Sequence, residues 1–98
     1  MNKLALFGLL SAFLNENNEE KIGFAPVYIA QDESGKWIVY DEYKPESYKS
    51  QFNSDGEMCE VGTTEEYDAG WENSLHLVKN LLALSLADLL IFDYPVSL

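Results

Sequence analysis

Cysteine and histidine, the residues that most often carry metal or covalent chemistry, occur once each in this 98-residue chain, as Cys59 and His76. A structural zinc site takes four such ligands, so a single chain cannot build one from this pair. A Ser-His-acid triad would have to use His76, and no serine stands in a nucleophile-elbow sequence. No glycine-rich phosphate-binding motif is present either. We therefore predict no catalytic residue, no metal site and no cofactor, and a protein that is not an enzyme.

One stretch, QFNSDGEMCEVG at residues 51–62, has part of the pattern of a calcium-binding EF-hand loop. Asn53, Asp55 and Gly56 stand at the spacing of that loop. The pattern then fails, because Gln51 occupies the first ligand position and Gly62 the last, where the loop requires a carboxylate and a bidentate glutamate. The stretch is interpreted as a turn.

Acidic side chains are the chemical feature that this sequence has in excess. Seventeen aspartates and glutamates stand against six lysines, with no arginine, and the formal net charge is -11. Twelve of these acids and three of the lysines lie in residues 31–72, a local balance of -9. A net charge of magnitude ~2 to 8 is enough to keep a small domain soluble. The excess therefore favours a functional role for the acidic middle of the chain.

Aromatic residues are interleaved with these acids. Large rings anchor protein interfaces and charges steer a partner toward them. The alternative is that the rings belong to the core and the acids only to a solvated exterior. The residues that we predict to form a protein-binding surface are Asp32, Glu33, Asp41, Glu42, Tyr43, Glu46, Tyr48, Glu65, Glu66, Tyr67, Asp68 and Trp71, with the four aromatic residues among them as anchors.

The sign of the charge indicates the partner. Binding of DNA or RNA would proceed against net repulsion and without arginine, so we predict no direct contact with nucleic acid. We predict instead a basic protein surface that normally holds nucleic acid, with this protein acting as a nucleic-acid mimic and inhibitor. In size and charge, though in no motif, the chain resembles phage-encoded inhibitors of host defence such as anti-restriction and anti-CRISPR proteins. The alternative is a non-catalytic homo-oligomeric assembly or adaptor protein whose acidic face is only solvated.

The hydrophobic pattern predicts that residues 1–98 form a single α+β domain. The run from Leu4 to Leu14 predicts an N-terminal helix with a broad apolar face and a strip of small residues at Ala5, Gly8 and Ala12. The runs GFAPVYIA and KWIVYDEY predict one antiparallel hairpin. SYKSQF and EMCEV, around NSDG, predict a second hairpin, with a loop over residues 44–57 as the alternative. The small sheet of two hairpins spans about residues 23–61.

A long apolar C-terminal helix is predicted to pack on this sheet. From Trp71 onward, leucines at helical spacing form a stripe wider than half the circumference. The start of the helix is predicted at a capping box of Thr63 and Glu66, or near Gly70, and its end before Pro95. His76 falls on the polar side, where we interpret it as solvated.

Two expectations concern the surroundings of the protein. Neither apolar segment reaches the ~20 consecutive apolar residues of a membrane span, so we predict no membrane contact and interpret the N-terminal segment as part of the fold, not a secretion signal. A single cysteine fits a cytoplasmic location. The surplus apolar surface of the two helices favours a homodimer.

Overall fold

The structure, a computed structural model, describes residues 3–84. Its elements follow the chain in the order α1 (Lys3–Glu16), α2 (Glu19–Ile22), β1 (Tyr28–Gln31), β2 (Lys36–Tyr40), β3 (Glu46–Tyr48), β4 (Gln51–Asn53), β5 (Met58–Thr63), a 3-10 turn (Trp71–Asn73), β6 (His76–Leu77) and α3 (Val78–Leu82). The predictions of an α+β fold, an N-terminal helix and a small antiparallel sheet are confirmed.

The main sheet has four antiparallel strands in the order β5-β2-β1-β6, and β3 pairs with β4 in a separate hairpin. Side chains alternate between the two faces of a strand, and both faces of this sheet are covered. Ile29, Trp37 and Val39 pack under helix α1, where Leu6 and Leu10 have an exposed fraction of 0%.

The opposite face of the sheet is covered by the β3–β4 hairpin and the 3-10 turn. Ala30 and Tyr40 pack there against Phe52 and Trp71. The phenol of Tyr40 donates to the backbone oxygen of Phe52 at 3.3 Å. Burial, with the nearby charge of Asp32, raises the pKa of Tyr40 to about 12, so this phenol stays protonated and remains a donor.

The first predicted hairpin is confirmed, whereas the pairing predicted for the second is wrong. Strand β5 pairs with β2, not with the preceding strand. The actual second hairpin lies within the run predicted as one strand, because Lys49 adopts a left-handed backbone with a φ of 57° and reverses the chain. Strand β5 lies beside β2 in the sheet because this position brings the apolar side chains of Cys59 and Val61 to the face that α1 covers.

The predicted start of the C-terminal helix is also wrong. Thr63 ends strand β5, and the residues from Trp71 to Leu77 form the 3-10 turn and strand β6. Helix α3 begins only at Val78. A buried serine, Ser74, separates the turn from the strand and explains the break, because its hydroxyl accepts the backbone N–H of Gln31 at 2.8 Å. The remainder of the predicted helix, with its expected end before Pro95, falls within residues 85–98 and lies outside the described residues.

Helix α1 packs on the sheet through its buried leucines, Leu6 and Leu10. Within residues 3–84, no helix is both long and apolar enough to cross a membrane.

Candidate protein-binding surface

Gln31 positions part of the acidic surface from inside the molecule. Its side chain is fully buried, and its amide nitrogen donates to the backbone oxygens of Gly35 at 3.2 Å and Glu65 at 2.8 Å. Its amide oxygen accepts the backbone N–H of Tyr67 at 2.8 Å. A buried amide satisfied at both ends fixes the groups that it joins. The turn after β1 and the loop 64–68 are therefore held side by side.

Gly35 permits the close approach of these two segments. Its φ is 93°, a left-handed conformation that glycine adopts without steric cost. A side chain at this position would collide with the backbone oxygen of Thr64. Thr64 contributes a second tie, since its hydroxyl accepts the indole N–H of Trp37 at 2.6 Å. This packing brings Glu33 and Glu65, which are distant in sequence, to the same end of the sheet.

Asp32 and Asp41, both predicted surface residues, use their carboxylates inside the fold. Asp32 accepts the backbone N–H groups of Ser34 at 2.9 Å and Lys36 at 3.1 Å, which shapes the β1–β2 turn. Asp41 accepts the backbone N–H of Tyr43 at 3.0 Å and that of Glu57 at 2.8 Å. Both carboxylates are thus committed to turns.

The contacts of Asp41 have a second consequence, because they join loop 41–45 to loop 54–57. The hydroxyl of Ser54 adds to this junction by donating to the backbone oxygen of Tyr43 at 2.9 Å. The exposed side chains of Glu42, Asp55 and Glu57 therefore lie at one end of the molecule with Tyr43.

The outer face of the β3–β4 hairpin adjoins the end of the molecule where Tyr43 and its neighbouring acids lie. Phe52 is 5% exposed and points inward, so Glu46 and Tyr48, which alternate with its partner Ser47, point outward. Tyr48 is 61% exposed and Tyr43 is 56% exposed. A groove of about 500 Å³ runs along this face, lined by Lys44, Glu46, Ser47, Tyr48, Asn53, Ser54 and Asp55. The name tyrosine surface is used below for Glu42, Tyr43, Glu46, Tyr48, Asp55 and Glu57.

A second acidic area, the turn surface, comprises Glu33, Glu65, Glu66 and Asp68. The backbone N–H of Glu33 donates to the oxygen of Ser50 at 2.8 Å, so the hairpin spans from one area to the other. Strand β2, with five residues, separates their ends by roughly 16 Å. The structure therefore divides the predicted surface into two areas that the hairpin connects.

Of the four predicted anchors, Trp71 lies in the core and Tyr67 is partly buried against it. Trp71 is 8% exposed and meets the ring of Phe52 edge-to-face, with 5.9 Å between ring centroids. Tyr67 packs edge-to-face against Trp37 at 6.1 Å between ring centroids. Burial, with the charge of Asp68, raises the pKa of Tyr67. These two rings therefore serve the packing of the fold, which is the alternative that the sequence left open for the aromatic residues. The exposed anchors that remain are Tyr43 and Tyr48.

No protein family, curated protein or solved structure matches this chain. Among the described residues, no three His, Cys, Asp or Glu side chains converge in a way that could hold a metal ion.

Sequence reasoning missed several residues that build this surface. Gln31 stands at the end of the apolar run VYIA, and a polar residue in a buried strand is a signal of a structural hydrogen bond. The sequence shows Asp55 and Glu57 as acids of the middle of the chain but does not show that they lie near Tyr43. Asp55 and Glu57 lie near Tyr43 because of the hydrogen bonds of Asp41, and no pattern in the sequence predicts those bonds.

His76 is not the solvated helix residue that the sequence predicted. It lies in strand β6 and is half-buried. Its Nδ1 is 2.6 Å from the backbone oxygen of Ser74, so Nδ1 carries the proton. Its Nε2, 3.2 Å from the hydroxyl of Tyr67, then accepts from that phenol. Burial lowers the pKa of His76; the hydrogen bond to Ser74 opposes this shift and the charge of Lys3 adds to it.

This lowered pKa predicts that stability falls in mild acid. The folded-state pKa of His76 lies below its ordinary value of 6.5, so the unfolded chain takes up the proton first as pH decreases. Stability from neutral His76 is complete above pH 6.5 and is lost as pH falls through the folded-state value. In urea titrations between pH 7 and pH 5, His76→Asn, which keeps a donor for Ser74, should show a shallower decline than the wild type. Equal slopes would contradict the assignment.

Proposed function

We propose that this protein binds a basic surface of another protein through the tyrosine surface and thereby competes with the nucleic acid that such a surface holds. The observation that supports the proposal is the exposure of Tyr43 and Tyr48 beside carboxylates. Of the large apolar side chains in residues 3–84, those that are exposed are Tyr43, Tyr48, Met58 and Leu82, and the first three fall within the acidic middle of the chain.

Rings and charges have separate tasks in this proposal. Lysine- and arginine-lined grooves are arranged for phosphates a few ångströms apart, and carboxylates on a hairpin and its flanking loops offer charges at comparable spacing. Charge alone raises the rate of encounter and leaves binding weak and unselective. The two tyrosines supply amphipathic rings that fill pockets on a partner. The proposal requires no catalytic step. We also propose that the protein acts in the cytoplasm, where a free thiol such as Cys59 stays reduced.

Charge reversal tests the electrostatic part. The pair Glu42→Lys with Glu46→Lys should slow association with a basic protein captured by the wild type by about tenfold or more at low salt. The difference should shrink at ~0.5 M salt, where the Debye length is only a few ångströms.

A matched control is available on helix α2. Glu19→Lys with Glu20→Lys changes the net charge equally, and both residues are exposed and do not belong to the tyrosine surface. If both pairs reduce the association rate to the same extent, only total charge matters, and the tyrosine surface is not the binding site.

The adaptor function remains a second candidate because the outer face of helix α1 is uncovered among the described residues. Ala5, Gly8 and Ala12 are exposed there, and residues 4–15 carry no charge. Small residues allow close helix packing, and two-fold dimers are the commonest way to cover such a face. In the sequence, Ala83 and Ala87 offer small residues on which this strip could dock within the same chain; Ala83 is exposed and Ala87 lies outside the described residues.

Substitution at Gly8 tests whether the chain forms a homodimer through this face. A β-carbon at Gly8 would meet no atom within 4 Å, so Gly8→Lys fits the isolated protein and improves its helix propensity. If the face is a dimer interface, sedimentation should show a dimer for the wild type and for Gly8→Ala, and a monomer for Gly8→Lys. A wild-type monomer at high concentration would exclude the adaptor function.

A further inference from the structure

Strand β5 forms an open edge of the main sheet. It is the end strand in the order β5-β2-β1-β6, and no other strand of residues 3–84 pairs with its outer side. An open edge is a template for an additional strand, because its outward backbone groups lack ladder partners. The outer edge of β5 is therefore a place where another chain could add.

Hydrogen bonds at both ends of β2 show which groups of β5 point outward. The N–H of Asp41 donates to the oxygen of Glu57 at 3.2 Å, so these residues form a hydrogen-bonded pair across β2 and β5. Such pairs alternate along an antiparallel ladder, which makes Cys59 the next residue turned toward β2. Met58 and Glu60 consequently direct their N–H and C=O groups away from β2.

The hydrogen bonds between β2 and β1 independently show which residues of β2 direct their backbone groups toward β5. The N–H of Asp32 donates to the oxygen of Lys36 at 2.9 Å, which directs the even-numbered residues of β2 toward β1. Its odd-numbered residues then face β5, in agreement with the pairing of Val39 and Cys59.

A register shift limits the length of the usable edge. Trp37 lies opposite Gly62 and Ile38 opposite Glu60, so Val61 is an extra residue that bends the strand. The regular part of the edge extends from Met58 to Glu60. It offers four outward backbone groups, enough for a short extended segment.

The charges around this edge favour a basic segment over an acidic one as the added strand. Exposed acids lie before, within and after the strand at Glu57, Glu60 and Glu65. Lys36 contacts Glu60 at 3.7 Å, but the two side chains are 41% and 58% exposed, so this pair is weak and exchangeable. A second copy of the chain would bring its own acids to the same place, and like charges across a strand pair are destabilising.

We propose that the edge of β5 at Met58 and Glu60 binds an extended segment of a basic partner as a fifth strand of the sheet. A lysine or arginine of that segment lies opposite Glu60 and replaces Lys36 as its ion-pair partner. The inference rests on the class of partner in the proposed function. The backbone groups that it uses, those of Met58 and Glu60, lie outside the tyrosine surface, with which this edge shares only the flanking Glu57, so each site can fail without the other.

The probe is a nine-residue peptide in which lysine alternates with threonine, followed by amide hydrogen exchange of the full chain. Without peptide, the N–H groups of Met58 and Glu60 should exchange much faster than that of Cys59, which faces β2. With peptide, the exchange of both should slow by about tenfold or more. The same peptide with glutamate in place of lysine should have no effect.

Two substitutions at one position separate backbone pairing from charge. Met58→Pro removes an outward N–H without changing the charge or the ladder to β2, and should weaken peptide binding by about tenfold. Met58→Leu keeps the N–H and should bind within about twofold of the wild type. Circular dichroism of both variants establishes that the sheet is intact.

Three results would overturn this inference. Peptide binding that is indifferent to Met58→Pro would show contact by charge alone. Exchange changes confined to Tyr43 and Tyr48 would move the peptide to the tyrosine surface and leave the proposed function standing. Protection of Met58 and Glu60 that rises with protein concentration, with a disulfide between the Cys59 residues of two copies, would make a second copy the occupant. Partner capture that is unchanged in the variant carrying Glu42→Lys and Glu46→Lys, with peptide still bound at β5, would instead refute only the proposed function.

Discussion

Replacing Gln31 by glutamate is expected to lower the free energy of unfolding by about 3–5 kcal/mol at pH 7, enough to unfold much of the population of a small domain. The amide nitrogen of Gln31 donates to the oxygens of Gly35 and Glu65, and the side chain has no exposure to water. A carboxylate there turns two attractive contacts into repulsion between oxygens and buries a charge without a cation. Circular dichroism during urea titration measures the loss.

The control for this substitution is the same change at Gln51 in strand β4. Gln51 is exposed, and its side-chain amide donates to the side-chain oxygen of Asn53 at 3.0 Å, so Gln51→Glu should change stability by less than about 0.5 kcal/mol. Gln31→Leu, which is uncharged, should fall between the two at about 1–3 kcal/mol because buried backbone groups lose their partners. Similar stabilities for the Gln31→Glu and Gln51→Glu variants would contradict the structural role of Gln31.

Replacing Tyr43 or Tyr48 by alanine is expected to have the second largest effect, and on binding instead of folding. Each substitution should weaken partner binding by about 2 kcal/mol, or roughly thirtyfold, the value of an interface anchor. Stability should change by less than about 0.5 kcal/mol because both rings are largely exposed. Titration calorimetry with the captured partner gives the affinity, and urea titration gives the stability.

Leu82→Ala is the control for the tyrosines. Leu82 is 44% exposed and lies in helix α3, outside the acidic middle of the chain. This variant should bind like the wild type. A loss of affinity at Leu82 as large as that at the tyrosines would place the contact elsewhere, on the side of the two helices.

The parts of the fold that sequence reasoning predicted are those set by local chemistry. The β1–β2 hairpin follows from strand-forming runs around a polar turn, in which Asp32 binds the backbone of Ser34 and Lys36. Helix α1 follows from its apolar run, Leu4 to Leu14, and it ends at Glu16, within the polar stretch that begins at Asn15. In both segments the preferences of neighbouring residues agree with the tertiary structure.

The parts that were missed depend on contacts between distant residues. Strand β5 pairs with β2 across the intervening hairpin, and nothing in EMCEV distinguishes this partner from the adjacent strand. The stretch from Trp71 to Leu77 has helical spacing, but burial of Ser74 beside Gln31 and of Trp71 beside Phe52 overrides it. Of the predicted surface, the exposed tyrosines and most acids remain, while Asp32, Asp41, Tyr67 and Trp71 serve the fold.

Competition with nucleic acid tests the central claim most directly. The partner captured by the wild-type chain is loaded with labelled double-stranded DNA, and the protein is added at increasing concentration while fluorescence anisotropy reports the bound DNA. The proposal predicts that the wild type displaces the DNA, and that the chain with both Tyr43→Ala and Tyr48→Ala needs at least about a hundredfold higher concentration. A stable ternary complex in which the DNA stays bound, or equal displacement by the two chains, would contradict it.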